Sequence, residues 1–494
     1  MQPSQPIIRV TDLIWIERCP RHLWLEAHGD PSTKVQRTRG ATVLAAQGRQ
    51  HEQAVLPVPD AVVVVRDWQD QVERTLADLR AGTQGIQQAA LSVPLGDQTT
   101  LVGCVDRVVR VTGRSDLGDW FYEPIEVKWI AEPTPAHMLQ LQCYRWMLEQ
   151  IQGVLPDGQF WLGAMGHGSD RVAKEIRRIT GPAAEQVAAA VERVLDITRQ
   201  PVAPPIWFDD KACPYCPWNQ ACEHTARTTQ DSALLPGLRR KTATALRQDN
   251  ITTLTAIAEL APAHLATYPE VGKQGPKLQA QARAMCTGQP VRIGPATGLP
   301  PMDGACYLDL ETTEQPARVW AFGMARGPAD TQIVLVVPEI GTTPARPIRI
   351  AGISVILVPD MAAGWDQVAA VAGPGNGPVI HWSRYEQRFL RVTAPPPLQA
   401  ALSSRLVDLQ HWTTTNYALP MSRNATGTGG VSAKALSAWV GVQRPVDDSF
   451  AVAEQAFRHW CMDPADTTRL LPVVTYVAAD VQFLVAIHAQ LAAY

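Results

Sequence analysis

Apolar and polar positions along this chain follow two periods. Residues 101–111 (LVGCVDRVVRV) form a valine-rich run closed by the turn residues TGRSDLGD, and residues 122–130 (YEPIEVKWI) form a second. Two such runs joined by a short polar turn predict a β-hairpin. Residues 137–151 then carry Leu139, Leu141, Met147 and Leu148 at helical spacing, with Gln140 and Tyr144 four apart on one face. A helix is also predicted upstream, over residues 45–55, and short helices fill residues 250–284. Apolar runs of strand length return at 306–310, 319–324, 333–337 and 353–358, with helices after them. No uninterrupted apolar run approaches the ~18–20 residues that cross a bilayer.

At roughly 100–200 residues per domain, a chain of 494 residues predicts about three domains. The breaks fall at the polar stretch 225–232 and the Pro/Gly-rich stretch 294–304. The expected segments are therefore 1–225, a helical 226–295, and 296–494, with α/β architecture in both end segments. The net charge of −3, from 44 basic and 47 acidic side chains, argues against coating nucleic acid by charge alone. It leaves room for an enzyme with a local basic channel. The N-terminus lacks the basic and apolar regions of a signal peptide, so a cytoplasmic protein with no membrane partner is expected. Three of the nine cysteines, Cys213, Cys216 and Cys222, fall within ten residues. In a reducing compartment that density reads as metal or iron–sulfur binding before disulfides. The remaining apolar-flanked cysteines (Cys104, Cys143, Cys286, Cys306, Cys461) read as core thiols.

Charged side chains inside apolar strands identify the candidate chemistry. Glu126 and Lys128 are two apart and share a face, and Asp106 lies on the neighbouring strand. Two carboxylates suit a hard divalent cation such as Mg²⁺ or Mn²⁺. The cation would polarise a phosphodiester and acidify its bound water, with the ammonium beside the phosphate. Taken in order, His51, Asp106, Glu126-Val127-Lys128 and Gln140-Leu141-x-x-Tyr144 resemble the motifs of the RecB-like branch of the PD-(D/E)XK nucleases. The resemblance implies a restriction-endonuclease-like fold and DNA hydrolysis, with exonuclease action expected. It implies metal ligation by His51, Asp106 and Glu126, catalysis by Lys128, and support from Gln140 and Tyr144.

Cys213, Cys216 and Cys222, with Cys19 as fourth ligand, are similar to the cysteine frame of iron–sulfur nucleases of that branch, the CRISPR-associated RecB-like exonucleases among them. A 4Fe–4S cluster is implied, with a Zn²⁺ site using His224 or Cys19 as the alternative. In the middle segment, Gly272 and Gly275 precede a helix carrying Lys277, with Lys273 between them, like a degraded helix-hairpin-helix that grips a DNA phosphate.

In the third segment, Asp309 and Glu311 share a strand face, Glu386 follows Tyr385, and Tyr476 and Asp480 share a helical face. This series resembles the DEDD-type 3′–5′ exonucleases of the RNase H-like fold, in the version with tyrosine before the last aspartate. Two metals held by four carboxylates are implied. The chain departs from that pattern at Glu386, where aspartate is usual, and at His381, where asparagine is common. Asp408 reads as a further support residue or a helix cap. The noncatalytic alternative is a nucleic-acid-binding scaffold; another is RNA or DNA trimming by the third segment alone. No phosphate-binding G-x-x-x-x-G-K-[ST] loop is present, so unwinding would need a helicase partner.

Overall fold

The computed structural model describes residues 7–35, 42, 46, 48, 52, 55–56, 67–95, 99–128, 130, 132–163, 175–209, 212–295, 298–314, 317–338, 347–423, 433–442 and 450–494. Two compact units divide the chain: Met1–Thr33 with Leu44–Pro205, and Lys34–Val43 with Ile206–Tyr494. Both are mixed α/β.

The first unit runs β1 (Ile7–Arg9), α1 (Pro20–His28), α2 (Trp68–Ala81), β2 (Gly85–Leu95), β3 (Thr99–Ser115), β4 (Gly118–Lys128), α3 (Pro135–Gln152), β5 (Gly158–Leu162), β6 (Glu175–Ile179) and α4 (Ala184–Arg199). The expected hairpin is β3–β4, longer than its apolar pattern and turning at Gly118. β2 lines one edge of β3. The opposite edge is shared: β1 pairs in parallel with Thr100 to Val102, and β4 pairs antiparallel from Arg107 onward. The predicted helix is α3. Thr134 caps it by accepting the His137 N–H, Pro135 opens it, and Gly153 closes it in the left-handed conformation. α3 carries the chain from β4 to the parallel neighbour β5. Leu23, Leu79, Val105, Val108, Tyr144, Met147, Val187 and Val191 share one buried core.

The second unit begins with the helical segment, α5 (Asn219–Thr228), α6 (Arg240–Gln248), α7 (Leu254–Glu259) and α8 (Gly275–Thr287). Its sheet then follows: β7 (Cys306–Glu314), β8 (Ala317–Ala325), β9 (Thr331–Val336), β10 (Pro347–Ile350), β11 (Ile353–Val358), α9 (Met361–Ala372), β12 (Val379–His381), α10 (Arg384–Thr393), β13 (Leu406–Asp408), α11 (Leu409–Asn416), α12 (Phe450–Met462) and α13 (Leu471–Ala492). The strand order is β10-β11-β9-β8-β7-β12-β13. β7, β8 and β9 form an antiparallel meander, while β12 and β13 run parallel to β7. Helices cover both faces, which explains the nearly continuous apolar strands. Leu308, Leu310, Phe322 and Met324 pack with Trp365 and Phe389, and Trp320, Ile333 and Leu335 pack with Val473 and Val477. α13 is long and apolar enough to cross a membrane by length and composition, which a search for uninterrupted runs misses. It is the core helix of this sheet, with Val473, Val477 and Val481 fully buried. Cys286 departs from the expected core set: it lies exposed on the last turn of α8.

Gly103 sets how closely α3 approaches the sheet. A Cβ built there would lie 2.7 Å from Tyr144 Cε1 and 2.8 Å from Val10 Cγ2. Neither neighbour has room to retreat in a fully buried core. Gly103→Ala is expected to destabilise the first unit by about 1–3 kcal/mol, read as a lower midpoint in urea unfolding. An unchanged midpoint would show that α3 tolerates displacement.

Candidate active site

At Asp106 the β3–β4 ladder stops, and side chains take over its hydrogen bonds. The last registered pair is Arg107 with Ile125. Beyond it, Asp106 Oδ2 accepts the Val127 N–H at 2.8 Å, and Glu126 Oε1 accepts the Asp106 N–H at 3.4 Å. The carboxylates are thus held between diverging strands by backbone donors. Lys128 Nζ lies 2.5 Å from Glu126 Oε2 and 4.0 Å from Asp106 Oδ2. The hairpin therefore brings all three predicted groups into one cluster. Gln140 and Tyr144 reach it from α3: Gln140 Nε2 donates to Tyr144 Oη at 3.4 Å, and Tyr144 Oη donates to the Cys104 carbonyl at 2.9 Å.

Burial governs the electrostatics here, since Glu126 is only 1% exposed. Burial pushes its carboxyl up to about 7, with Lys128 opposing the rise and Asp106 adding to it. Asp106 is also raised by burial, against the pull of Lys128 and the Val127 N–H. Burial alone would lower Lys128, but the two carboxylates outweigh it and hold the ammonium protonated. With both carboxylates ionised, two negative groups face one ammonium. A divalent cation bound by oxygen ligands fits the residual charge and the donor set.

His51, expected as a further ligand, lies outside the described residues. Two neighbours of the site carry no signal in the residue pattern. Glu52 is helical and acts electrostatically on Lys128. His137 accepts the Thr134 N–H through Nδ1, and burial, Lys128 and Arg18 push it down to about 4, so its imidazole stays neutral.

In the second unit Asp309, Glu311 and Asp480 offer carboxylate oxygens that all lie within 4.8 Å of one another. Asp309 and Glu311 alternate on β7, and the register shifts immediately after Glu311. Asp480 comes from α13. Gly323, the cross-strand partner of Asp309, allows that approach, because a Cβ there would lie 2.9 Å from Val477 Cγ1. Three clustered carboxylates are a fitting oxygen donor set for a divalent cation. Tyr476 is buried one turn before Asp480 on α13. The structure does not bring Glu386 into this group. Its Oε2 accepts the Ser383 N–H at 3.3 Å as part of a capping box and lies 3.3 Å from Nδ1 of fully buried His381. Asp408 caps α11, accepting the His411 N–H at 2.8 Å.

Cys213 and Cys216 bracket a tight turn, in which Cys213 Sγ accepts the Asp209 N–H at 3.3 Å, and Cys222 follows on α5. These three belong to the second unit and Cys19 to the first. Lys277 is tied to the Thr414 carbonyl at 2.9 Å, while Lys273 and Gly272 are exposed ahead of α8.

Residues 21–223 match the family model described as the PD-(D/E)XK nuclease superfamily. A domain of that superfamily is therefore present over those residues, and the superfamily is one of metal-dependent nucleases. Among solved structures the chain is similar to a crystal structure of SSO0001, with 18% identity and a TM-score of 0.24, covering 45% of this chain and 89% of that one. No curated protein matches.

The raised Glu126 gives a signed pH dependence. Below about pH 7 the carboxyl is protonated, and a divalent ion must displace that proton to bind. In a background lacking the second acidic cluster (Asp309→Asn with Asp480→Asn), the melting-temperature gain on adding a fixed Mn²⁺ concentration should shrink as pH falls from about 8 to about 6. Glu126→Gln should abolish that pH dependence. A gain that stays constant across the range in the unsubstituted site would contradict it.

Proposed function

We propose that the chain is a metal-dependent deoxyribonuclease whose main active site is Asp106, Glu126 and Lys128. One observation carries this reading: the β3–β4 ladder opens where the two carboxylates and the ammonium meet. Asp106 and Glu126 would hold Mg²⁺ or Mn²⁺, which on binding polarises the scissile phosphate and acidifies water. Lys128 sits beside both carboxylates, placed to donate to a nonbridging phosphate oxygen or to the attacking water. Gln140 and Tyr144 fix the strand that carries Asp106 through the Cys104 carbonyl. DNA is proposed as the substrate, with RecB-like exonucleolytic action in repair, recombination or defence, and a helicase as partner where duplex must be unwound. These finer assignments rest on the motif series His51, Asp106, Glu126-x-Lys128 and Gln140-x-x-x-Tyr144.

The second unit is proposed as an RNase H-like exonuclease domain. Its support is the order β9-β8-β7-β12-β13, with an antiparallel meander flanked by two strands parallel to β7, and carboxylates meeting on β7 and α13. Among the described residues three carboxylates rather than four gather there, so this site is assigned the lesser share of cleavage. The 4Fe–4S reading of Cys19, Cys213, Cys216 and Cys222 rests on their sequence pattern. Anaerobically purified protein should be brown and bleach on reduction; colourless, zinc-loaded protein would remove the iron–sulfur assignment.

Purified protein is expected to cleave single-stranded or duplex DNA with Mg²⁺ or Mn²⁺. Lys128→Ala should lower kcat by about 10²-fold or more. Separate Asp106→Asn and Asp309→Asn variants, assayed on DNA and on RNA, apportion the two sites. Cleavage that persists unchanged in Lys128→Ala and Asp106→Asn, and disappears in Asp309→Asn, would move the chemistry to the second unit. DNA affinity without turnover in any metal would support a noncatalytic scaffold.

A further inference from the structure

Asp106 is flanked by departures from regular strand geometry on both sides. On the β4 side the ladder opens. On the β2 side the pairs Gln87 with Arg107 and Ala89 with Val105 are registered, and the residue between them, Gln88, stands opposite Asp106 without a registered pair. Gln88 has φ of 49°, the left-handed region, in the body of a strand. A side chain with a Cβ holds that conformation at a steric cost, and such outliers persist where the surroundings impose them. The Gln88 side chain shows what it gains. Its Nε2 donates to Glu52 Oε1 at 2.6 Å, and its Oε1 accepts from Cys104 Sγ at 3.4 Å. Cys104 is two residues before Asp106, and its carbonyl is the acceptor of Tyr144. Through Gln88, the Glu52 carboxylate is tied to the strand position that faces Asp106.

We propose that Gln88 is a positioning residue: its left-handed backbone, opposite Asp106, directs an amide that fixes the Glu52 carboxylate beside the Asp106–Glu126–Lys128 centre. Glu52 then adds a third negative group to the field of Asp106 and Glu126 that a divalent cation meets. The amide suits this role because it donates to a carboxylate at one end and accepts from a thiol at the other, tying Glu52 to β3 without carrying charge. A regular strand would send the side chain at this position perpendicular to the sheet. The left-handed step changes its direction. This assignment rests on the nuclease reading of the site but is tested apart from it.

Gln88→Gly keeps the left-handed backbone without the Cβ penalty and removes the amide; Gln88→Asn tolerates the backbone but is one methylene short of Glu52. In the background lacking the second acidic cluster, Mn²⁺ affinity is measured by calorimetric titration, and the melting temperature without metal is measured alongside. Both variants should bind Mn²⁺ about tenfold more weakly, the size expected for loss of a group that orients a metal site, while the melting temperature holds or rises in Gln88→Gly. Glu52→Ala should lose as much, and Gln88→Gly combined with Glu52→Ala should lose no more than either alone. Unchanged affinity in both Gln88 variants overturns the proposal, as do losses that add in the double variant. Weakened affinity only in step with a lowered melting temperature also overturns it, since that is a purely structural role. Absence of DNA cleavage by the unsubstituted protein in every metal would overturn the nuclease reading instead, and the Mn²⁺ cycle would still decide the role of Gln88.

Discussion

The first unit is organised around the parting of two β-strands over a buried pair of carboxylates. Regular pairing continues as far as Arg107 and Ile125, and beyond it the Asp106 carboxylate, not a carbonyl, receives the Val127 N–H. Satisfying backbone donors with side-chain oxygens allows the strands to separate without leaving buried groups unpaired. The same contacts fix the carboxylates in place. Taking Asp106 and Glu126 out of water raises both pKa values, and Lys128 offsets only part of the cost. The remaining negative charge suits the opening to a cation.

The second unit reaches a comparable arrangement by another route. Its carboxylates come from β7 and from α13, elements that lie far apart in sequence and meet because Gly323 lets the helix press against the sheet. Gly103 serves the first unit in the same way, letting Tyr144 of α3 close over β3. In both, a missing side chain on a strand sets how near a helix can deliver its polar groups. The difference lies in charge. Lys128 stands among the acids of the first site, whereas the second gathers three carboxylates while Glu386 is turned toward Ser383 and His381.

Much of this was legible in the residue pattern. Valine-rich runs with an intervening polar turn gave the hairpin, helical spacing gave α3, and charges stranded among apolar residues marked Asp106, Glu126, Lys128, Asp309 and Glu311. These signals are local: each depends on residues within one or two turns or strand repeats. Strands β12 and β13, three residues each, left no comparable signal, because runs so short carry no period of their own. Glu386 illustrates the limit. Its place after Tyr385 resembles a ligand motif, but a serine three residues earlier offers it a helix cap, and that local contact prevails.

Residue order alone marks the longer elements and the charged side chains their strands must accommodate, because period, turn residues and charge among apolar neighbours are properties of adjacent positions. Packing between distant segments settled that Gln88 stands opposite Asp106 and binds Glu52, that Asp480 joins Asp309 and Glu311, and that Glu386 does not. Those outcomes depend on strand register, a left-handed step at one residue and the approach distance of a helix. Such quantities arise from packing between segments far apart along the chain, and no local pattern records them.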